Sequence, residues 1–235
     1  MGRTWRRLAL LGLLLFGLLS AACGKPIAEQ PKDTAYEVVD IRGDTVRFLT
    51  KPKRVLTFTT GADEVVLGLV KPERLIAVNE DFIDPARSNV AALARQVPNT
   101  IERNPAVERV AALQPDLVIV QDWISMDKVQ SMRDLGIPVV VTRTPRSIEE
   151  VRATIRLIAA SLGEIERGER LVKRMEEELA AIEGRIAQVP AEQKGKTVAV
   201  VSIMPGYGGA GGMFDEVIRA AGGQNAKALA GNRQG

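Results

Sequence analysis

Histidine is absent from all 235 residues of this chain. Without imidazole there is no Ser-His-Asp or Cys-His catalytic arrangement, and no histidine-ligated zinc or haem iron. Cysteine occurs once, at Cys23, so no internal disulfide can form. Apolar runs long enough to span a bilayer are also missing. The longest, residues 8–19, falls short of the ~20 residues a spanning helix needs. Net charge is small as well. The formal surplus of +3 is Arg3, Arg6 and Arg7, so residues 23–235 are formally neutral. That removes the electrostatic case for a nucleic-acid partner.

What is present begins at the N-terminus. The three arginines, the apolar run and the small residues Ser20, Ala21 and Ala22 lead directly to Cys23. This three-part pattern is that of a secretory signal peptide. Its end resembles a lipoprotein cleavage box, with one departure: Ser20 stands where the commonest boxes carry leucine. The resemblance implies that the Cys23 thiol receives a diacylglyceryl group and becomes the mature N-terminus. Two or more acyl chains anchor stably, each buried methylene contributing about 0.8 kcal/mol. Residues 1–22 are thus expected to be a signal and residues 23–35 a lipid-anchored tether rich in Lys, Pro, Glu and Gln. The protein is expected outside the cytoplasm, in the periplasm or at the cell surface, held to the membrane.

Residues 36–40 and 45–49 alternate apolar and polar around Arg42-Gly43-Asp44, a β-hairpin signal. After Pro52 short β-branched runs at 55–58, 75–78, 117–120 and 139–142 alternate with helical patterns at 63–69, 85–95, 105–113 and 125–135. Alternation of this kind predicts a parallel sheet, here of four strands, with helices on both faces. Asn104 and Pro105 read as the N-cap and first residue of one helix. Ser147 with Glu150 forms a capping box for the next, which Gly163 can end.

Residues 164–189 carry a single apolar seam: Leu171, Met175, Leu179, Ile182, Ile186 and Val189. On a helix they would line one side of a rod about 39 Å long. Glu166 with Arg170, and Glu169 with Lys173, are favourable pairs on the wet side. The seam covers fewer than four heptads, so a helix packed across a domain is expected, not a coiled-coil dimer. A strand at 197–203, a glycine-rich loop at 204–212 and a helix at 213–221 follow. One strand and one helix cannot bury their apolar faces alone, so a second domain is expected to be incomplete here.

Four passages, "PKRVLTFTTGADEVVLGLV", "NPAVERVAALQPDLVIV", "LGIPVVVTRTPRSIEEVRATIRLIAASLG" and "MFDEVIRAAGGQNA", occur in this order. Together they resemble ABC-transporter substrate-binding lipoproteins of the iron-siderophore, haem and cobalamin class. The resemblance runs from residue 34 to residue 226. It implies an α/β protein of two parallel-sheet lobes joined by one long helix, with ligand in the cleft between them. The first lobe would be residues 36–163, the interlobe helix 164–190, and the start of a truncated second lobe 195–235. Such a protein is not an enzyme and needs no cofactor of its own. It captures an iron chelate or tetrapyrrole and hands it to a permease powered by a separate ATPase, and a monomer is expected.

Loops after the carboxyl ends of parallel strands are where ligands bind. Here they carry Thr59, Thr60, Phe82, Trp123 and Arg143, with Tyr207 from the second lobe. These suit a ligand with a flat apolar body and polar edges. Glu108 falls early in a helix, and the resemblance implies that it docks onto an arginine of the permease. Gly206, Gly208 and Gly211 also match G-x-G-x-x-G, but no acidic residue follows at the spacing a dinucleotide site wants. Two other readings remain: a lipid-anchored α/β nucleotide-dependent enzyme, and a sensor or scaffold lipoprotein with the same fold. Siderophore, haem and cobalamin binders share these motifs, so the ligand stays open.

Overall fold

The computed structural model describes residues 35–203 and 207–231. Cys23 and Gly206 lie outside the described residues.

Strands β1 (Tyr36–Val39) and β2 (Thr45–Phe48) pair antiparallel as the hairpin the alternation predicts. Gly43, at φ +86°, supplies the left-handed residue of its turn. The chain then runs through β3 (Val55–Thr57), α1 (Thr60–Leu69), β4 (Leu75–Asn79) and a short α2 (Ala91–Ala94) to β5 (Thr100–Ile101). It continues through α3 (Val107–Ala112), β6 (Leu117–Gln121), α4 (Met126–Asp134), β7 (Val139–Thr142) and α5 (Ile148–Ser161). Strands β3 to β7 form one parallel sheet in the order β5-β4-β3-β6-β7. That is five strands, not four. The extra one, β5, is only two residues long and has no alternation to announce it.

The sheet is buried on both faces. Leu117 and Ile119 of β6, with Val140 of β7, point into a core shared with α1, α5 and the hairpin. Val118 and Val120, with Val139 and Val141, point into a second core shared with α3 and α4. Burial on both sides is why these strands read as continuous β-branched runs.

Two local expectations give way to side-chain chemistry. Residues 85–90 are turns, not helix, because Asp84 and Ser88 side chains accept the N–H groups of Ala86 and Val90, at 2.9 and 3.1 Å. Such bonds compete with helical ones. Helix α3 starts later than Pro105, with Ala106 at its N-cap. Asn104 Oδ1 instead accepts the Lys128 ammonium at 2.6 Å. The Ser147 cap holds, its hydroxyl accepting the Glu150 N–H at 3.2 Å, while Glu150 reaches the N–H of Arg146.

Gly163, at φ +69°, ends α5, with the N–H of Glu164 bonded back to Ala159 at 2.8 Å. Helix α6 (Ile165–Ala187) then packs across α1 and α5. A Cβ at Gly168 would lie 2.4 Å from that of Ala159, so the contact needs glycine. The six seam residues are half-buried, and every other residue from Lys173 to Gln188 is exposed. Glu166 and Arg170 pair as expected at 3.8 Å, but Glu169 turns to Arg156 of α5 at 2.9 Å. Lys173 pairs with Glu177 instead.

Beyond it lie β8 (Thr197–Val198), α7 (Met213–Ala220), β9 (Gln224–Asn225) and α8 (Ala226–Leu229). The strand expected over 197–203 exists only where β9 pairs with it. Val201 and Ile203 are fully exposed. Among the described residues, no helix is long and apolar enough to cross a membrane.

Candidate functional site

From β3 the chain moves outward through β4 to β5, then returns to place β6 and β7 on the other side. The carboxyl ends of β3 and β6 therefore mark the switch point of the sheet, the place where open parallel α/β sheets bind ligands. A third segment, residues 102–106 after β5, also reaches this rim. The Arg103 guanidinium lies 5.5 Å from the centre of the Trp123 ring.

The predicted residues divide around this point. Thr59 is 1% exposed and is the N-cap of α1, but its hydroxyl makes no cap bond and has no partner among the described residues. Thr60, the first residue of α1, is exposed. Trp123 is 43% exposed, and its Nε1–H donates to Gln121 Oε1 at 3.2 Å. A Cβ at Gly61 would sit 3.3 Å from the Gln121 amide, so the start of α1 lies close against the end of β6. Phe82 stands apart at 1% exposure, inside the core with Val78, where it supports the loop after β4. Arg143 is exposed and 3.8 Å from Glu150. It lines a small concavity with Ile41, Thr154 and Leu157, beside α5 and away from the switch point. Tyr207 is half-buried edge-on against Phe214, ring centres 5.0 Å apart. Glu108 is exposed on α3.

Beneath the rim, Asp63 of α1 is fully buried and its Oδ2 accepts the Asn79 N–H at 3.1 Å. Asn79 in turn donates to the Phe58 carbonyl at 3.2 Å, so the ends of β3 and β4 are cross-tied. Burial pushes the Asp63 carboxyl well above its ordinary range, with the Asn79 N–H and the Thr57 hydroxyl acting in the opposite direction. A carboxyl raised on folding contributes stability that is fully present below its unfolded value, near ~3.9, and is lost as pH rises through the raised folded value. Asp63→Asn should therefore resemble the parent in acid and be the more stable near neutrality. Urea denaturation at several pH values checks this, and a constant difference across pH would refute it. Lys128, whose ammonium lies 6.0 Å from the Phe58 ring, has its pKa lowered by burial, with Glu102 opposing.

The glycine loop is already occupied by its own helix. Asp215 Oδ2 accepts the Gly211 N–H at 3.0 Å, and Oδ1 accepts Asn225 Nδ2 at 3.2 Å. The Gly211 bond is the main reason its pKa is lowered, burial opposing and Asn225 and Arg219 adding to it. A carboxylate thus takes an amide that a phosphate would need, which weakens the nucleotide reading.

Residues 59–235 match the family described as periplasmic binding protein. The chain belongs to that family. The ABC transporter substrate-binding lipoprotein YvrC of Bacillus subtilis is 24% identical over 204 residues, 82% of this chain and 63% of that protein. This chain therefore spans less than two thirds of that relative's length. The apo periplasmic heme-binding protein RhuT from Roseiflexus sp. RS-1 matches with a TM-score of 0.63 at 26% identity, over 77% of this chain and 68% of that one. The molybdate periplasmic binding protein MolA of Haemophilus influenzae, bound to molybdate, shares the fold. Its TM-score is 0.66 at 18% identity, over 83% of this chain and 66% of that one.

In this member of the periplasmic binding protein family, Arg103, Gln121 and Lys128 complete a rim of which sequence reasoning saw Thr59, Thr60 and Trp123. The two-residue β5 hid the loop that carries Arg103. The one available signal was an arginine just before Asn-Pro at a helix start.

Proposed function

We propose that this chain is the solute-binding component of an ABC importer, capturing a metal chelate such as an iron-siderophore, haem or cobalamin for delivery to a permease. The rim at the switch point, with Thr60 and Trp123 exposed beside each other's loops, is the observation that supports it within this family. Tyr207 would meet the ligand from the second lobe. The role is capture and release, with no chemistry on the ligand. Trp123→Ala in the full-length protein should weaken chelate binding by ~2 kcal/mol or more, about thirtyfold, as truncation of an aromatic anchor does. Titration with a panel of ferric chelates and tetrapyrroles measures this. Unchanged affinity in a folded variant would place the indole outside the site.

The protein is proposed to work from the outer side of the membrane, tethered by acylated Cys23. Cys23→Ser should leave the chain either unprocessed or released from membranes. Recovery of a processed, membrane-bound variant by cell fractionation would refute the anchor.

A further inference from the structure

Trp123 stands exposed on a tight turn closed by the Ile124 N–H, which donates to the Gln121 carbonyl at 3.1 Å. Both ends of that turn are fixed. Gln121 closes the ladder between β6 and β7, opposite Thr142, and Ile124 is buried. A turn held only at its ends leaves an exposed side chain at its tip free to sample rotamers.

Asp122, the residue before the indole, restricts that freedom. The two strands part after Gln121 and Thr142, and the Asp122 side chain carries their pairing further. Its Oδ1 accepts the Thr144 N–H at 3.0 Å and the Thr144 hydroxyl at 2.8 Å. Its carbonyl, in the peptide that leads into Trp123, accepts Arg42 Nη2 at 3.1 Å. Arg42 is itself rooted, since its own N–H is held by buried Asp40 at 2.8 Å. The turn of the first hairpin, the loop after β6 and the loop after β7 thus meet on one residue. A short carboxylate suits the place, because it accepts several donors at once and its charge strengthens each bond. The indole is steadied further by its own Nε1–H, donated to Gln121 Oε1 at 3.2 Å, and by the Arg103 guanidinium 5.5 Å from its centre.

Bonds at the surface contribute little singly to stability. What these have in common is the peptide that aims Trp123. A ligand that packs against an indole already in place is spared the cost of ordering it.

We propose that Asp122 is a positioning residue for ligand capture: it fixes the turn that presents the Trp123 indole, and so raises affinity through that ring. This rests on the solute-binding reading above and deepens it, because it makes part of the affinity a property of the free protein.

The chain has two tryptophans, so full-length protein carrying Trp5→Phe leaves Trp123 as the reporter. Asp122→Ala removes both side-chain bonds, whereas Asp122→Asn keeps an acceptor oxygen in the same place. In time-resolved fluorescence anisotropy without ligand, Asp122→Ala should raise the amplitude of nanosecond indole motion about twofold. Asp122→Asn should return it close to the parent. Binding is then measured by equilibrium dialysis with iron protoporphyrin IX and with a ferric trihydroxamate. For at least one of them Asp122→Ala should weaken binding about tenfold, within the range of coupling between neighbouring residues. Made in a Trp123→Ala background, the same substitution should have no further effect, a result that a merely structural role would not give. Indole motion unchanged in folded Asp122→Ala, or a loss of affinity that persists without the indole, overturns the proposal and leaves chelate capture standing. Trp123→Ala that binds like the parent takes the indole out of the site, and the proposal with it. If neither probe binds the parent, the chelate reading fails and the proposal falls too. Should Asp122→Ala not fold, Thr144→Val, which removes the 2.8 Å bond alone, should show the same changes in smaller measure, and their absence overturns the proposal.

Discussion

Glu108→Arg should sharply reduce uptake of the ligand by cells while leaving its affinity for the purified protein unchanged. Glu108 is exposed in the first turn of α3, and Val110 two residues on is buried against the sheet. The side chain therefore projects from the surface and lies on a different element from Thr60 and Trp123. If a permease arginine approaches here, reversal replaces a charge-assisted contact by like-charge repulsion, which costs several kcal/mol at an interface. Under the proposed site, ligand capture would not involve this surface, so binding and transport should separate. The measurement is radiolabelled uptake in cells beside titration of the purified variant. Partial recovery with a permease carrying the opposite charge would locate the partner. Uptake at the parental rate would return Glu108 to the role of a solvated carboxylate that favours its helix start.

Asp40→Ala should destabilise the first lobe by about 3–5 kcal/mol, the cost of breaking a buried charged pair from one side. The Asp40 side chain is fully buried and every acceptor position is in use. Oδ1 takes the N–H groups of Arg42 at 2.8 Å and Asp44 at 3.2 Å, which shapes the hairpin turn. Oδ2 takes Arg133 Nη2 at 3.0 Å and the Val141 N–H at 3.1 Å, which fastens that turn to β7. Since β7 is the sheet's outer strand, the hairpin covers an edge that would otherwise present unpaired N–H groups. Alanine would leave Arg133 with Asp44 at 2.7 Å and the Val139 carbonyl at 3.1 Å, and strand the Val141 amide. Urea denaturation gives the loss in stability, and hydrogen exchange should show residues 36–48 opening first. A shift within ~0.5 kcal/mol, the range of ordinary surface substitutions, would mean that Asp40 does not fasten the hairpin.

Tryptophan 123 and Arg103 show how unevenly the site could be read. The β-branched run ending at Val120 put Trp123 after a strand, and parallel α/β architecture put strand ends at the ligand side. Both inferences are local, and the structure does place Trp123 in the segment after β6. The loop with Arg103 follows a strand of two residues, paired with β4 and anchored in the core by Ile101. So short a segment has no period, and its path across the rim follows from packing of Ile101 and Pro105.

Sequence by itself determined what depends on near neighbours in the chain. The hairpin alternation, the β-branched runs of β3, β4, β6 and β7, the Ser147 cap, the Gly163 stop and the apolar seam of α6 are all patterns written within a short stretch of chain. The expected leader ending at Cys23 is likewise read from adjacent residues. Tertiary structure alone decided which elements meet. It chose the strand order and therefore the switch point, turned Phe82 into the core, paired Glu169 with Arg156 rather than Lys173, and joined Asp40 to an amide 101 residues away. The physical reason is that periodicity reports which face of an element is apolar, whereas the partner of that face, and the course of a loop with no period, are set by how all the faces pack at once.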